Sequence, residues 1–481
     1  MTENLSIRWF YAIGFVFIAC LLTGVYFDNL YVAAIPPALA FFWFLIAYTK
    51  QVVYFLVFSA PLSIPVNDIG GGFGMSFPDE PIIILIFLGL ILKFANGATF
   101  DKRFVFNGLS VLIVIDLLWN LATSINSSMP MVSFKFLLSR TWYVVIFYFL
   151  LGNFFLQIEA IRKYIWLLST AICGLAIFTI FEHAKGGFTR GFAYAASQPF
   201  VPDHGMYAAI VAFVIPTLFV FAVYGHAFQQ STLKRVIAFG MVLLLTVAVI
   251  LSFTRAAWLS LIAAAALIIA IKIGIRFRTI ILMVIVAIGV YFAMETDIQT
   301  QLSRNKQGSD DDIEEHVSSI SNVSTDPSNL ERLNRWRCAS RMFDERPIMG
   351  WGPGTYVFQY APFQVSSELT IISTHAGDLG NVHSEYLRPL AETGLPGALI
   401  WLGLVLGTIY LGFRVYRKAQ SKEVKYLALA LVSGISTYFF HAFLNNYSEF
   451  DKLAVPMWGF MAALTALNSY HLKHEQEANW S

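Results

Sequence analysis

Residues 205–225 read GMYAAIVAFVIPTLFVFAVYG and contain no charged side chain. An α-helix needs about 20 such residues to cross the hydrocarbon core of a bilayer. Comparable apolar stretches recur along the chain, at 8–26, 30–48, 50–65, 80–96, 107–124, 136–155, 161–181, 205–225, 235–253, 256–272, 278–295, 394–413, 426–444 and 454–470. The sequence therefore predicts an all-α, polytopic membrane helical bundle of about 12–14 transmembrane helices.

The composition agrees with a membrane protein and excludes several classes of function. Hydrophobic residues make up 57% of the chain, charged residues make up 13%, and the mean hydropathy is +0.65. The 32 Lys and Arg residues nearly balance the 30 Asp and Glu residues, so no polyanion-binding field is predicted and nucleic acid is not an expected partner. Cys20, Cys173 and Cys338 form neither a disulfide framework nor a zinc spacing. No metal site is expected.

Basic residues in the short loops indicate the orientation of the chain. They form five clusters on alternate loops, namely Lys102 with Arg103, Arg162 with Lys163, Lys234 with Arg235, Lys272 with Arg276 and Arg278, and the group Arg414, Arg417, Lys418, Lys422 and Lys425. Short cytoplasmic loops are enriched in Lys and Arg, so this side is predicted to be cytoplasmic and to hold both termini. The first apolar stretch is followed by no small-residue cleavage pattern and is interpreted as a retained signal anchor.

The long polar segment 296–393 falls on the opposite, outer side and is predicted to form a loop domain with short helices. The chain then divides into N-terminal transmembrane helices at 1–181, helices that carry the arginine loops at 182–295, this loop domain, and C-terminal helices with a cytoplasmic tail at 394–481. Residues 309–326 are acidic and rich in Ser, which indicates a solvated mobile loop, with calcium binding as the alternative. Ser328 and Glu331 fit a capping box for a helix that ends before Pro347.

Two arginines are unusual because they lie on the outer side, where the short loops are poor in Lys and Arg. Arg255 lies in SFTRAAW between two strongly apolar spans, and Arg190 lies in GFTRGF before another span. An ionised group that enters hydrocarbon is costly, so Arg255 either snorkels to the interface or pairs with a ligand. Arg190 alone fits a solvated loop equally well. A guanidinium matches phosphate oxygens with two parallel hydrogen bonds, so two arginines at one membrane face predict a phosphate site.

The third candidate is His383 in the segment NVHSEYLRPLAETGLPG, residues 381–397, directly before an outer-to-inner span. Apolar residues follow it at helical spacings, and Asn381 suits the N-cap position. A histidine in a first helical turn feels the positive end of the helix dipole, which favours the neutral imidazole that a general base needs. A surface histidine at a helix start is the alternative. His204 and His375 lie on the same side, but neither heads a comparable helix.

These segments resemble the O-antigen ligase and O-antigen polymerase superfamily. The resemblance is carried by the Arg255 motif, by residues 332–354 with their GWGPG turn, and by residues 383–397. It covers about residues 185–410, whereas the first 180 residues match only as a run of helices. Its strongest part is the histidine that is followed by Leu387, Glu392, Gly394 and Gly397 ahead of a span. One departure is Thr254, which stands before the arginine where serine is common in the family.

The resemblance implies a multispanning, metal-independent glycosyltransferase of the C type, without a cofactor, in the bacterial inner membrane. Such an enzyme takes a glycan from undecaprenyl diphosphate and joins it, on the periplasmic side, to lipid A core or to another glycan or protein acceptor. The family roles place Arg190 and Arg255 on the diphosphate and His383 as the base. Further candidates are Arg332, Arg335 and Arg388 for the diphosphate clamp, and Glu392 and His204 for the base.

The sequence is compatible with three kinds of function. An O-antigen ligase is the most favoured, a polymerase or a protein O-oligosaccharyltransferase is the alternative, and a transporter of lipid-linked glycans is the third. A transporter is expected to carry ionisable residues inside its spans or broken helices at the bilayer midplane. Asp116 and Arg140 are the charged residues that lie more than three residues from either end of a predicted span, so transport is the least favoured function.

The predicted orientation is tested by labelling with a membrane-impermeant thiol reagent. After the three native cysteines are replaced, Asp310→Cys and Val365→Cys should be labelled in cells whose outer membrane has been permeabilised, because both positions lie in the outer segment. Lys418→Cys, in a basic loop, is the control and should react only after the inner membrane is opened. Protection of positions 310 and 365 in the first condition would reverse the topology.

Overall fold

A computed structural model describes residues 14–20, 22–27, 30–66, 74–283, 285–286, 327–370, 373–374 and 380–472. Thirteen longer helices lie in these ranges: α1 Leu30–Ala47, α2 Thr49–Ser59, α3 Asp79–Ala95, α4 Gly108–Ile125, α5 Pro130–Tyr143, α6 Ile158–Lys185, α7 His204–Tyr224, α8 Thr232–Leu251, α9 Arg255–Lys272, α10 Pro327–Glu345, α11 Leu387–Lys418, α12 Lys422–His441 and α13 Asp451–Ala466. The described strands, β1 Ile64–Val66 and β2 Met75–Phe77, pair antiparallel. The prediction of an all-α architecture is confirmed.

Shorter helical turns connect these elements. They are Ala60–Leu62, Lys102–Val105, Leu151–Phe154, Arg190–Ala193, Gly225–Phe228, Tyr356–Gln359, Ala361–Phe363 and Ser366–Glu368, with π-helical turns at Val144–Leu150 and Leu467–His471. Residues 14–20, 22–26 and 277–283 are also helical. The predicted acidic loop at 309–326 and His375 lie outside the described residues.

Several helices are long and apolar enough to cross a membrane. Seven meet this criterion within the described ranges, and the bent pair Ile35–Ala47 and Thr49–Leu62, which turns by 95°, would make an eighth if it formed a single span. The predicted total of about 12–14 is larger, partly because α3 and α13, at 17 and 16 residues, fall short of the 18-residue length that this criterion requires. The chain is a multi-pass membrane protein.

Helix α7 lies at the centre of the bundle and packs against α8, α9 and α12. Its side chains are almost all apolar, and nearly all of them are buried by protein. Pro216 lies inside it and leaves one backbone carbonyl without its helical partner. A hydrogen bond of 2.9 Å from the Thr217 hydroxyl to the Ala430 carbonyl ties this part of α7 to α12.

The predicted basic loops meet at one end of the bundle. Arg162 forms an ion pair of 2.9 Å with Glu423 and donates a hydrogen bond of 2.7 Å to the carbonyl of Phe228. Lys272 donates to the Tyr224 hydroxyl at 2.6 Å, and Arg417 donates to the Gly274 carbonyl at 2.6 Å. These contacts bring the loops of four of the five basic clusters to the same end of the bundle.

The opposite end carries the outer segment, which is attached where α11 is broken. Gly394 has φ +69° and interrupts the helix after its first turns. The break frees the carbonyl of Ala391, and Pro396, which has no N–H, leaves the carbonyl of Glu392 without a helical donor. These carbonyls accept hydrogen bonds from the amides of Trp351 at 3.1 Å and Gly352 at 2.8 Å. The GWGPG turn is thereby fastened to the membrane bundle.

The helix predicted from the capping-box pattern is present as α10, which ends at Glu345. The expected cap at Asn381 is wrong, because the Asn381 side chain accepts a hydrogen bond of 2.8 Å from the adjacent amide of Val382. Helix α11 begins four residues after His383, and the Ser384 hydroxyl accepts hydrogen bonds from the amides of Tyr386 and Leu387 at 3.3 and 3.4 Å. His383 therefore lies before the helix, and the dipole argument does not apply to it.

Replacing Gly394 with Ala should destabilise the attachment of the outer segment. A Cβ atom there would lie 2.1 Å from the carbonyl oxygen of Ile348, and the positive φ disfavours any side chain. The expected loss is about 2 kcal/mol or more in free energy of unfolding. Gly174→Ala in α6 is the control, because its Cβ would meet nothing within 4 Å. Equal thermal melting of the two purified variants would contradict this account.

Candidate functional site

Backbone strain marks the three loops that carry the predicted site residues. Four non-glycine residues in the described part of the chain have a left-handed backbone: Phe188, Gln229, Phe253 and His383. Phe188 lies two residues before Arg190, Phe253 lies two residues before Arg255, and the third site loop contains His383 itself. Such conformations cost about 1–3 kcal/mol each and cluster at functional sites.

The Arg190 loop is packed on the C-terminal turn of α6. The carbonyl of Thr189 lies 2.8 Å from the Nε2 atom of His183, and the ring of Phe188 lies 5.4 Å from the same imidazole. The ring of Phe253 also packs against this imidazole, at 6.3 Å between centroids. His183, which is buried, therefore joins the loops of Arg190 and Arg255.

The turn before Arg255 is also held against the start of α7. The hydroxyl of Thr254 donates to the carbonyl of His204 at 3.3 Å, and Trp258 donates from its indole to the carbonyl of Val249 at 3.1 Å. The threonine that stands in place of a serine therefore makes a contact that ties two helices together. Arg255 begins α9 and is half-buried at this junction.

His383 lies in a loop that contacts both α10 and the end of α12. The indole of Trp336 donates to the His383 carbonyl at 3.4 Å, and the amide of Glu385 donates to the carbonyl of Ala442 at 2.9 Å. These two contacts hold the His383 loop between α10 and the C-terminal turn of α12.

Electrostatics keep the His383 imidazole neutral. Burial lowers its pKa to about 4, and the positive charges of Arg332 and Arg335 act in the same direction. The interaction with Asn445 and the charge of Glu331 oppose this shift. The neutral imidazole that the sequence predicts is therefore present, but its cause is burial and neighbouring cations. At neutral pH this side chain is able to accept a proton.

Arg332 is the residue that relates the separate candidates to one another. Its positive charge interacts electrostatically with the imidazoles of His204, His383 and His441, and the charge of Arg190 interacts with the imidazole of His204 as well. The expectation that His204 heads no helix is wrong, because His204 is the first residue of α7. It packs against the ring of Tyr194 at 4.1 Å, and its buried Nδ1 atom has no hydrogen-bond partner among the described residues. The fold thus brings Arg190, Arg255, His204, Arg332 and His383 to one end of the bundle.

Three other candidates from the sequence are held in internal contacts. Arg335 is buried, pairs with Glu331 at 2.5 Å and stacks on the ring of Tyr360 at 4.0 Å. Arg388 pairs with Glu385 at 2.9 Å and also with Glu449.

Glu392, the third of these candidates, accepts a hydrogen bond of 3.0 Å from the amide of Tyr356. It is buried where the GWGPG turn meets α11. These contacts give Arg335, Arg388 and Glu392 a structural role, and any direct role in binding or proton transfer stays a prediction.

Sequence reasoning missed the contribution of the loop between α12 and α13. This loop and the end of α12 place His441, Asn445 and Tyr447 beside the His383 loop. The segment is short and carries no recognisable motif, so only its polar residues between two apolar spans could have drawn attention to it. In the part of the chain that the structure describes, no group of three His, Cys, Asp or Glu side chains is arranged to hold a metal ion.

Comparisons with known proteins were made for the whole chain. Residues 239–402 match a family model that is described as O-antigen ligase. This range includes Arg255, Arg332 and His383, whereas Arg190 and the Asn445 loop lie outside it. No curated protein matches the chain. Over this range, about a third of its length, the chain is similar to the O-antigen ligase family, whose members are glycosyltransferase-like enzymes.

Proposed function

We propose that this protein is a periplasm-facing, metal-independent inverting glycosyltransferase that moves a glycan from undecaprenyl diphosphate to an acceptor hydroxyl. The most favoured activity is that of an O-antigen ligase, which joins O-antigen to lipid A core. The observation that carries the proposal is the meeting of two arginine loops with a neutral, half-buried histidine at one end of the bundle. The location in the inner membrane and the periplasmic orientation are parts of the same proposal.

The donor follows from where the reaction would take place. The periplasm holds no pool of nucleotide sugars, so a transferase that acts there needs an activated donor already in the membrane. A lipid diphosphate sugar meets this need, because its diphosphate is both the activating group and the leaving group. Arginine is suited to such a group, since its planar guanidinium donates two parallel hydrogen bonds to phosphate oxygens.

The reaction is a single displacement at the anomeric carbon. His383 accepts the proton of the acceptor hydroxyl while the hydroxyl oxygen forms a bond to the anomeric carbon from the side opposite the diphosphate. The bond between that carbon and the diphosphate oxygen breaks, its electron pair stays on the leaving oxygen, and the configuration inverts. Arg190, Arg255 and Arg332 stabilise the growing negative charge with donors that the fold has already positioned.

The acceptor distinguishes the ligase from a polymerase or a protein O-oligosaccharyltransferase, which perform the same chemistry. The lipopolysaccharide ladder of a deletion strain tests it directly. A ligase leaves uncapped core together with accumulated lipid-linked polymer, and a polymerase leaves core that carries one repeat. An unchanged ladder would point to a protein acceptor and would overturn the ligase assignment.

Transport of a lipid-linked glycan is less well supported. Asp116 and Arg140, the charged residues well inside predicted spans, form a buried ion pair of 2.8 Å, and the Arg140 guanidinium also lies 5.5 Å from the ring of Trp458. A closed pair of this kind is a packing feature of the bundle. The ion pair therefore gives no support to a substrate pathway through the membrane.

Replacing Arg255 with Lys should lower transfer about 100-fold, because the charge is kept but the two parallel hydrogen bonds to phosphate are lost. Arg190→Ala should act in the same way. Arg278→Lys, in a basic loop at the other end of the bundle, serves as the control and should transfer normally. Transfer is measured with purified protein at equal amounts in the membrane. Full activity of both site variants would leave interfacial snorkelling as the better account of Arg255.

Replacing His383 with Gln should reduce turnover by roughly two to four orders of magnitude and leave donor binding nearly unchanged, because glutamine can hydrogen-bond the hydroxyl but cannot accept its proton. In the wild-type protein, kcat/KM should fall as the pH drops through about 4, where the free imidazole becomes protonated. The acid limb of kcat should lie at higher pH, because the bound diphosphate favours the imidazolium. Normal turnover of the variant would move the base to Glu392 or His204.

A further inference from the structure

His183 lies in the last turn of α6 and holds the loop that leads to Arg190. The residue is 2% exposed, and its backbone carbonyl accepts hydrogen bonds from the amides of Gly186 at 3.1 Å and Phe188 at 3.2 Å. Its Nε2 atom lies 2.8 Å from the carbonyl oxygen of Thr189, the residue directly before Arg190. His183 therefore holds this loop through its backbone and through its side chain.

The imidazole is the donor in its contact with Thr189. A backbone carbonyl oxygen can only accept a hydrogen bond, so the Nε2 atom of His183 must carry the hydrogen. A side chain that replaces His183 keeps this link only if it places an N–H at the same position.

The same imidazole packs against the loop that leads to Arg255. The ring of Phe253, two residues before Arg255, meets it edge-on at 6.3 Å, and the ring of Phe188 meets it edge-on at 5.4 Å. Both phenylalanines have a left-handed backbone, with φ +57° at Phe188 and φ +52° at Phe253. Such a backbone persists only where the surroundings hold it. One buried imidazole thus contacts the strained residue of each arginine loop.

The two loops leave a cavity beside this imidazole. His183 lines the cavity together with Ala196 of the Arg190 loop and Ser252 of the turn before Arg255. Since empty space separates these parts of the two loops, they do not fix each other there. The imidazole, which contacts both loops, is therefore a bridge between them.

We propose that His183 is a positioning residue that couples the two arginine loops, so that Arg190 and Arg255 are held at the spacing at which both guanidinium groups contact one diphosphate. One end of this bridge is the N–H that His183 donates to Thr189, and the other end is its ring, which packs on Phe253. His183 acts through the arginines and needs no contact of its own with the substrate. The inference rests on the diphosphate role of the two arginines in the proposed function.

Two substitutions each remove one end of the bridge. His183→Phe keeps a ring for Phe253 but has no N–H for the Thr189 carbonyl, whereas His183→Gln keeps a side-chain N–H of similar reach but has no ring. A bridge fails when either end is lost, so both variants should bind undecaprenyl diphosphate about tenfold more weakly than the wild type. The backbone hydrogen bonds of residue 183 are available in both variants.

Donor binding is measured on the full chain in detergent, with radiolabelled undecaprenyl diphosphate that carries no glycan. In transfer assays, the KM for the donor should rise by the same factor, and the KM for the acceptor should stay unchanged. A role confined to stability would lower the number of binding sites and the maximal rate, and it would leave the dissociation constant of the donor unchanged.

Thr179 provides a matched control. It lies one turn earlier on the same side of α6, is 6% exposed and lines the same cavity. Its hydroxyl donates to the carbonyl of Leu175 in its own helix, at 2.9 Å. Thr179→Val therefore removes a buried polar group beside the bridge without cutting either end, and this variant should bind the donor as the wild type does.

A double-mutant cycle tests whether His183 acts through the arginines. In a protein that already carries Arg190→Ala and Arg255→Lys, adding His183→Phe should weaken donor binding no further, because the spacing of the two loops no longer matters. A further tenfold loss would mean that His183 affects the donor by another route, and it would overturn the proposal. Wild-type affinity in either His183→Phe or His183→Gln would overturn it as well.

Failure of the proposed function would look different. If Arg190→Ala and Arg255→Lys bind the donor normally, the diphosphate role is wrong and the bridge proposal fails with it. If these arginine variants bind weakly while both His183 variants bind normally, the diphosphate role stands and only the bridge is wrong. If one His183 variant does not accumulate in the membrane, the other decides the matter alone.

Discussion

Two backbone hydrogen bonds determine where the outer segment lies on the membrane bundle. They join the amides of Trp351 and Gly352 to the carbonyls of Ala391 and Glu392, which lie beside the break at Gly394. In an unbroken helix the Ala391 carbonyl would accept from the amide of Leu395, which here donates to the carbonyl of Pro347. The Glu392 carbonyl would have no helical donor in any case, because Pro396 lacks an N–H. The break and the proline together therefore make both carbonyls available for hydrogen bonds between the bundle and the outer segment. The position of α10, and with it Arg332 and Trp336, depends on these hydrogen bonds.

The arginine charges at the proposed site have two effects, one on the diphosphate and one on His383. A diphosphate needs fixed cationic donors, and Arg190, Arg255 and Arg332 come from three different segments. The same positive charge makes protonation of a nearby histidine unfavourable, and burial adds to the effect at His383. One set of charges thus favours both the anion and a neutral base. Arg335 and Arg388 carry the same charge, but Glu331, Glu385 and Glu449 neutralise them within the fold.

Much of the architecture was accessible from the sequence, because the bilayer imposes a length and a hydropathy on each span. The position of Arg255 between two apolar stretches, the position of His383 before a single span, and the helix up to Glu345 were likewise predictable. The cap at Asn381 was wrong because a local hydrogen bond to Val382 competes with helix capping. The pairing of Arg388 with Glu449 was missed because this partner lies 61 residues away in the chain. Glu331 and Glu385 lie only four and three residues from Arg335 and Arg388, so their ion pairs were within reach of the helical spacing. The place of the loop between α12 and α13 beside the His383 loop required the tertiary structure, since nothing in its sequence marks it.

The left-handed residues in the three site loops have a consequence for how the protein loses activity. A phenylalanine or histidine in this conformation is held there only by its surroundings, here by His183 for the arginine loops and by α10 for His383. When those surroundings loosen, each loop relaxes towards an ordinary backbone conformation while the helices, which satisfy their own hydrogen bonds, persist. Function and secondary structure are therefore separable properties in this molecule. A preparation in harsh detergent can retain its full helix content and still have no assembled site.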